Sequence, residues 1–302
     1  MEKVDIVITG GTGTVGRQAL NTLLAAPDLR VRALVRDTSK AKWIAEAGGD
    51  LVEGSFDGSD AVRRTFRGAD TLVLITPAGP HAFEQAARLL AIAKQAGVRK
   101  VVRLSAIKAA EDGPTDNTRQ HGMTERAIRD SGLTYVIVRP NYFMQNLLGN
   151  LSTVLGEGRL YAGMGDAKIA MIDARDVGDA IAAAARTDAF DGSVLELSGP
   201  RSIGHDVVAT EIGRALGRDV AYDAVPPQAA GEAVRAFGLD DWTVQVIVDY
   251  SRAYSTGFGD FVTDSVQALT GRPPRDIGAF VRQVLAPAAG ALSSASNPVV
   301  QS

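Results

Sequence analysis

The chain has 302 residues, 45% hydrophobic and 22% charged, which suits a globular protein with a sizeable core. Its net charge of −3 leaves no electrostatic footprint for nucleic acid or an anionic membrane. There is no cysteine, which excludes disulfides, thiolate nucleophiles and thiolate metal sites. The three histidines, His81, His121 and His205, have no metal-ligand spacing, so no metal is expected. The first strand begins at residue 4 and no apolar run approaches a membrane span, so the expected location is cytoplasmic.

Val4, Ile6, Val7 and Ile8 form an apolar run typical of a parallel strand buried on both faces. Val15, Ala19, Leu20, Leu23 and Leu24 then recur at helical spacing. A second strand is expected over 29–35, a helix over 39–47, a third strand over 51–53, a helix over 60–66 and a fourth strand over 71–75. A helix over 81–97, a fifth strand over 101–104, a helix over 118–131 and a sixth strand over 135–138 follow. This alternation predicts an α/β, doubly wound, Rossmann-type parallel sheet.

Beyond Pro140 the alternation breaks down. A helix over 142–155, a glycine-rich loop over 156–165, a short strand over 169–172, an alanine-rich helix over 174–186 and a sheet strand over 194–197 are expected. Helices then surround one strand at 220–222. The expected domains are 1–140 plus about 168–200 for a dinucleotide, and 141–167 plus 201–285 as a smaller, mostly helical C-terminal substrate lobe. The last stretch, 286–302, reads as a mobile tail.

The link from first strand to first helix, Val4 to Arg17, carries three spaced glycines. Gly10 supplies a conformation that side chains forbid, Gly13 admits a diphosphate close to the main chain, and Gly16 lets the helix pack against the strand. The N–H groups of Thr12, Gly13, Thr14 and Val15 then meet an anion at a helix N-terminus. At the end of the second strand, where an acidic side chain selects NAD, stands Arg36. A guanidinium suits a 2′-phosphate, so NADPH is expected in preference to NADH, with Arg32 and Lys40 near enough to add charge. Asp37 is better placed as a helix cap than as a ribose ligand.

TGGTGTVG at 9–16, ALVRD at 33–37, the segment 52–77, VVRLSAI at 101–107, the segment 121–147 and MIDARDVGDAI at 171–181 together resemble the NmrA-like family of atypical short-chain dehydrogenases/reductases. The resemblance reaches to about Leu285 and implies NAD(P)H-dependent reduction of quinones or triphenylmethane dyes, beside members that only sense NADP(H). It implies that Gly10, Thr12, Gly13, Val15 and Gly16 hold the diphosphate, Arg36 the 2′-phosphate and Phe56 the adenine. Thr76 and Pro77 are implied under the adenine ribose and diphosphate, and Pro140, Asn141 and Phe143 at the nicotinamide. Ser55 stands where the family often has an Asp, so that adenine contact is missing.

Ordinary members of the superfamily protonate a carbonyl with a Tyr–Lys pair. Here His121 and Glu125 stand at that place, on one helical face. Two readings stay open: His121 as an acid oriented by Glu125, with Ser105 at the end of the fifth strand as a third catalytic candidate, or a structural His–Glu pair. Loss of the Tyr–Lys pair points to acceptors that are already electron-poor, such as a quinone, a dye, or an activated enone or imine. The alternative is an NADP(H)-binding redox sensor acting through a protein partner without turnover. A small-molecule substrate and a monomer or homodimer are expected. Tyr142, Phe143, Met144, Phe237, Trp242 and Tyr250 are candidates for an apolar pocket, though aromatics at helical spacing are more often core, Phe143 after the nicotinamide turn excepted.

Overall fold

The computed structural model describes residues 3–296. In chain order its elements are β1 (Val4–Thr9), α1 (Thr14–Leu24), β2 (Leu29–Val35), α2 (Lys42–Glu46), β3 (Asp50–Glu53), α3 (Asp60–Phe66) and β4 (Thr71–Leu74). Next come α4 (Ala82–Gln95), β5 (Lys100–Leu104), α5 (Asp116–Asp130), β6 (Thr134–Pro140), α6 (Leu151–Glu157), β7 (Arg159–Ala162), α7 (Ala174–Arg186) and β8 (Ser193–Leu197). The chain continues with α8 (His205–Leu216), β9 (Ala221–Ala224), α9 (Pro227–Ala236), α10 (Asp241–Ser255), α11 (Ser265–Thr270), α12 (Ile277–Phe280) and α13 (Ala286–Ser296).

The residues form two compact units. The first comprises Met1–Pro140, Ala174–Leu197 and Asp264–Pro273. Its seven strands pair in parallel in the order β3-β2-β1-β4-β5-β6-β8. Val7, Leu34, Phe66, Leu72, Leu89, Ile128 and Ile137 form one core, built from strands and from α3, α4 and α5. Burying each such side chain contributes about 1.5–3 kcal/mol. α1 and α7 pack so closely that a Cβ on Gly178 would lie 2.6 Å from Gln18 Cβ. Asp179 joins them, accepting at 2.8 Å from both Gln18 Nε2 and Thr22 Oγ1, and Arg272 reaches the same carboxylate at 3.2 Å. The segment Asp264–Pro273, which contains α11 and was expected in the C-terminal lobe, belongs to this unit.

The second unit holds Asn141–Asp173, Ser198–Thr263 and, of the described residues, 274–296. β7 pairs in parallel with β9, and α8 packs on both. β7 lies inside the stretch expected as a loop. The expected strand over 169–172 is reduced to two single bridges, Phe143 with Ile172 and Ile169 with Ile203. The expected helix over 142–155 is a 3-10 segment, Met144–Asn150, followed by α6. Of the expected tail, Ala286–Ser296 is helical, with Ala289 buried, because α12 runs on through a wide turn, Val281–Leu285, into α13. Residues 297–302 lie outside the described residues. No helix of the described residues is long and apolar enough to cross a membrane.

Candidate functional site

The carboxyl ends of β3, β2, β1, β4, β5 and β6 follow one another along one edge of the sheet. Their order reverses between β1 and β4, the place where open parallel sheets bind ligands. The turn after β1 is fixed by its neighbour. Gly10 adopts φ +66°, and a Cβ there would sit 2.8 Å from the Ile75 carbonyl oxygen. Thr9 holds that approach, its Oγ1 donating to the Ile75 carbonyl at 2.8 Å and accepting from the Ile75 amide at 3.0 Å. A Cβ on Gly16 would fall 2.2 Å from Gly10 O, so the first turn of α1 lies directly on the loop.

Gly13 caps α1 without a side-chain bond, and the first turn carries no acidic residue. Thr12, Gly13 and Thr14 are exposed, while Val15 and Gly16 are buried. Their amides are the orphan donors of a helix start, which suit an anion. Beyond β4, Thr76 Oγ1 is buried without a partner, and Pro77 is exposed. An uncapped helix and an orphaned hydroxyl on the two sides of the switch point fit a dinucleotide's pyrophosphate and ribose.

Arg36 is the first residue after β2, exposed and without a bond to any described residue. Asp37 is occupied as a cap. Its Oδ1 accepts from the Ser39 hydroxyl at 2.5 Å and the Ser39 amide at 2.9 Å, which holds its pKa below the ordinary carboxylate value. Arg32, expected to add charge, does not: it is buried, 2.7 Å from Asp5, and donates to the Thr65 carbonyl at 2.6 Å. Lys40 lies 3.7 Å from Asp37 and is largely exposed. The Gly54 amide bonds the Val35 carbonyl at 2.9 Å, which brings the loop carrying the half-buried Phe56 beside Arg36.

The second cluster joins β5, α5, β6 and β8. A Thr115 capping box starts α5, and a Cβ on Gly122 would lie 2.3 Å from the Ala110 carbonyl carbon, so the helix sits against the loop after β5. Ser105 donates to Glu125 Oε1 at 2.6 Å, and both side chains are buried. Arg139 donates to both Glu125 oxygens, at 2.8 and 2.6 Å, and Arg129 to Oε2 at 2.9 Å. Arg139 also reaches Glu196 at 3.2 Å. Burial opposes the Arg139 charge, but the two carboxylates outweigh it and raise its pKa. Burial raises that of Glu196 despite Arg139.

Glu125 is therefore not the residue that orients His121. The imidazole Nδ1 lies 3.3 Å from Arg103 Nη2, and its pKa is pushed well below 6.5 by burial and by the Arg103 and Arg139 charges. A protonated imidazolium acid, one of the two readings left open by the sequence, is thus disfavoured. Arg103, buried in β5, was missed. The available signal was a charged residue inside the apolar run 101–104, since arginine is almost never fully buried without a partner.

Pro140 closes β6, and its carbonyl accepts from the Ile107 amide at 3.0 Å. Asn141 and Phe143 belong to the second unit. Asn141 is spent on backbone, donating to Gly259 at 2.9 Å and accepting from the Tyr142 amide at 2.7 Å. Tyr142, half-buried, packs edge-on to Tyr254 at 5.5 Å, and burial pushes its pKa up to about 12. Phe237 is 73% exposed.

The NAD(P)H-binding family matches residues 10–188, more than half of the chain. The chain belongs to that family. Within it the chain is an NmrA-like atypical short-chain dehydrogenase/reductase. It is 32% identical over 271 residues to the (4-alkanoyl-5-oxo-2,5-dihydrofuran-3-yl)methyl phosphate reductase of Streptomyces griseus, covering 89% of this chain and 94% of that one. It is 29% identical over 277 residues to the NAD(P)H azoreductase of Xenophilus azovorans, covering 92% and 96%. The NADPH-dependent quinone oxidoreductase of Escherichia coli, solved with NADPH, superposes with a TM-score of 0.85 at 25% identity, over 93% and 99% of the two chains.

Proposed function

We propose that this NAD(P)H-binding protein is an NADPH-dependent reductase that passes a hydride to an electron-poor conjugated acceptor, such as a quinone, a dye, or an activated enone or imine. The observation that supports this reading is the 3.3 Å contact between the Arg103 guanidinium and the His121 imidazole, whose pKa burial and that charge hold well below 6.5, at the position where the family resemblance implies the Tyr–Lys pair of ordinary members. Hydride transfer there needs an acceptor that is reactive in itself. The relatives agree in kind, since their names describe reduction of quinones, azo compounds and an alkanoyl-oxo-dihydrofuran. They give the sensing alternative no support.

NADPH supplies the hydride when bound. The glycine turn with Thr12, Thr14 and Val15 would hold its diphosphate, Arg36 its 2′-phosphate, Phe56 its adenine, and Thr76 and Pro77 the ribose between them. Pro140 would border the nicotinamide, and the family resemblance implies the same of Asn141 and Phe143. The cysteine-free composition suits a reducing cytoplasmic setting, and we assign a monomer or homodimer. Loss of NADPH absorbance against a panel of quinones, azo dyes and enones tests the proposal. Turnover with at least one class is expected, and tight NADPH binding without turnover on any of them overturns it.

A further inference from the structure

Arginine is an unusual choice in β5. Arg103 is 1% exposed, and a buried guanidinium carries a desolvation cost that an aliphatic side chain would avoid. Burial pushes its pKa down to about 10, with Glu125 opposing, so it keeps its charge at neutral pH. Nη1 donates to the Leu74 carbonyl at 3.2 Å, Nη2 lies 3.3 Å from His121 Nδ1, and Nε has no partner. A guanidinium has donors only. Nδ1 therefore accepts, and the single ring proton resides on Nε2. Two charged side chains act on the ring, Arg103 from β5 and Arg139 from β6, while Glu125 lies one turn further along α5. Glu125 is already engaged by Ser105, Arg129 and Arg139. The Nε2–H makes no hydrogen bond to any described residue.

We infer that Arg103 is a positioning residue that holds His121 as a neutral Nε2–H donor, and that this donor selects acceptors which become anions on receiving hydride. The inference rests on the reductase reading of the site. Hydride leaves the dihydronicotinamide with its electron pair and adds to a neutral quinone, azo compound or enone. NADP⁺ forms, the acceptor becomes an anion, and the anion takes its proton from water. His121 keeps its own proton and donates a hydrogen bond that strengthens as the negative charge develops. A cationic dye becomes neutral in the same step and gains nothing from the donor. The guanidinium groups of Arg103, Arg129 and Arg139 also outnumber the Glu125 and Glu196 carboxylates, which favours a developing anion and disfavours a cationic acceptor.

Nitrogen-15 histidine NMR of the coenzyme-free protein reads the tautomer directly, with His121→Asn to assign the signals. The expected result is an unprotonated Nδ1 and a protonated Nε2, unchanged between about pH 5 and pH 8. Arg103→Lys, which keeps a cationic donor, should preserve that pattern. Arg103→Met removes the donor to Nδ1, so it should admit the Nδ1–H tautomer beside the Nε2–H one and lower kcat for a quinone by about tenfold or more, with the KM for NADPH unchanged and a cationic dye little affected. A protonated Nδ1 or an imidazolium in the unmodified protein overturns the inference, whatever the variants do. So does an equal loss of quinone and cationic dye reduction in Arg103→Met. Failure of the unmodified protein to oxidise NADPH with any acceptor overturns the reductase reading instead, and leaves the tautomer result standing by itself.

Discussion

Ser105 and Glu125 share a 2.6 Å hydrogen bond between two buried side chains, and this contact sets the role of both. The serine hydroxyl is committed to the carboxylate, and the carboxylate is the hub between Arg129 and Arg139. Both residues stood as catalytic candidates in the sequence. We now assign them to bracing β5, α5 and β6 beneath His121. Removing one partner of a buried ion pair leaves the others uncompensated, so Glu125→Gln should destabilise the fold by about 3 kcal/mol. Urea unfolding measures this. An unchanged midpoint together with lost turnover would return Glu125 to proton chemistry.

Arg36 leaves the sheet beside the glycine turn with no protein partner, whereas Asp37 is consumed by Ser39. A hydrogen bond to a charged group contributes about 1.5–3 kcal/mol, so Arg36→Ala should weaken NADPH by about ten- to a hundredfold. NADH, which lacks the 2′-phosphate, should bind the variant as it binds the unmodified protein. Fluorescence titration with both coenzymes checks this. Equal affinities in the unmodified protein would remove the basis for the assignment.

His205 makes acid stability a property of the second unit. It is 1% exposed, stacked on Tyr222 at 5.2 Å, with both ring nitrogens unpartnered, and burial pushes its pKa down to about 4, against a weaker opposing pull from Asp206. Above the ordinary value of 6.5 the ring is neutral in both the folded and unfolded chain, and its full contribution is present. Below it the unfolded chain takes up a proton that the folded chain refuses, so stability falls as pH drops from 6.5 toward 4. The total loss approaches about 3 kcal/mol. His121, also held below its ordinary value, acts in the same direction. His205→Phe keeps a ring in place without the nitrogens and should flatten, without abolishing, the loss of stability between about pH 8 and pH 5 in urea titrations. Identical pH dependence in variant and unmodified protein would contradict this.

The strand–helix alternation and the tight glycine turn were legible because each rests on a local pattern, of period or of spacing. What failed was distant pairing. Arg32 and Arg36 look equally available in the sequence, yet Arg32 sits opposite Val7 in the sheet and turns to Asp5. β7 was read as loop because its four residues lie among glycines and its partner, β9, lies some sixty residues further on. Similarly, His121 and Glu125 share a helical face, but their partners come from β5 and β6. Arg103 captures one and Arg139 the other. Spacing along α5 alone could not show that the pair is divided.

The most direct measurement is a single turnover of NADPH carrying deuterium at the transferred C4 position, mixed with a saturating quinone and followed by nicotinamide absorbance. We predict oxidation that depends on the quinone and slows with the label, because the C4–H bond breaks as hydride passes to the acceptor. Oxidation at the same slow rate with and without acceptor, from a protein that binds NADPH tightly, would contradict the account.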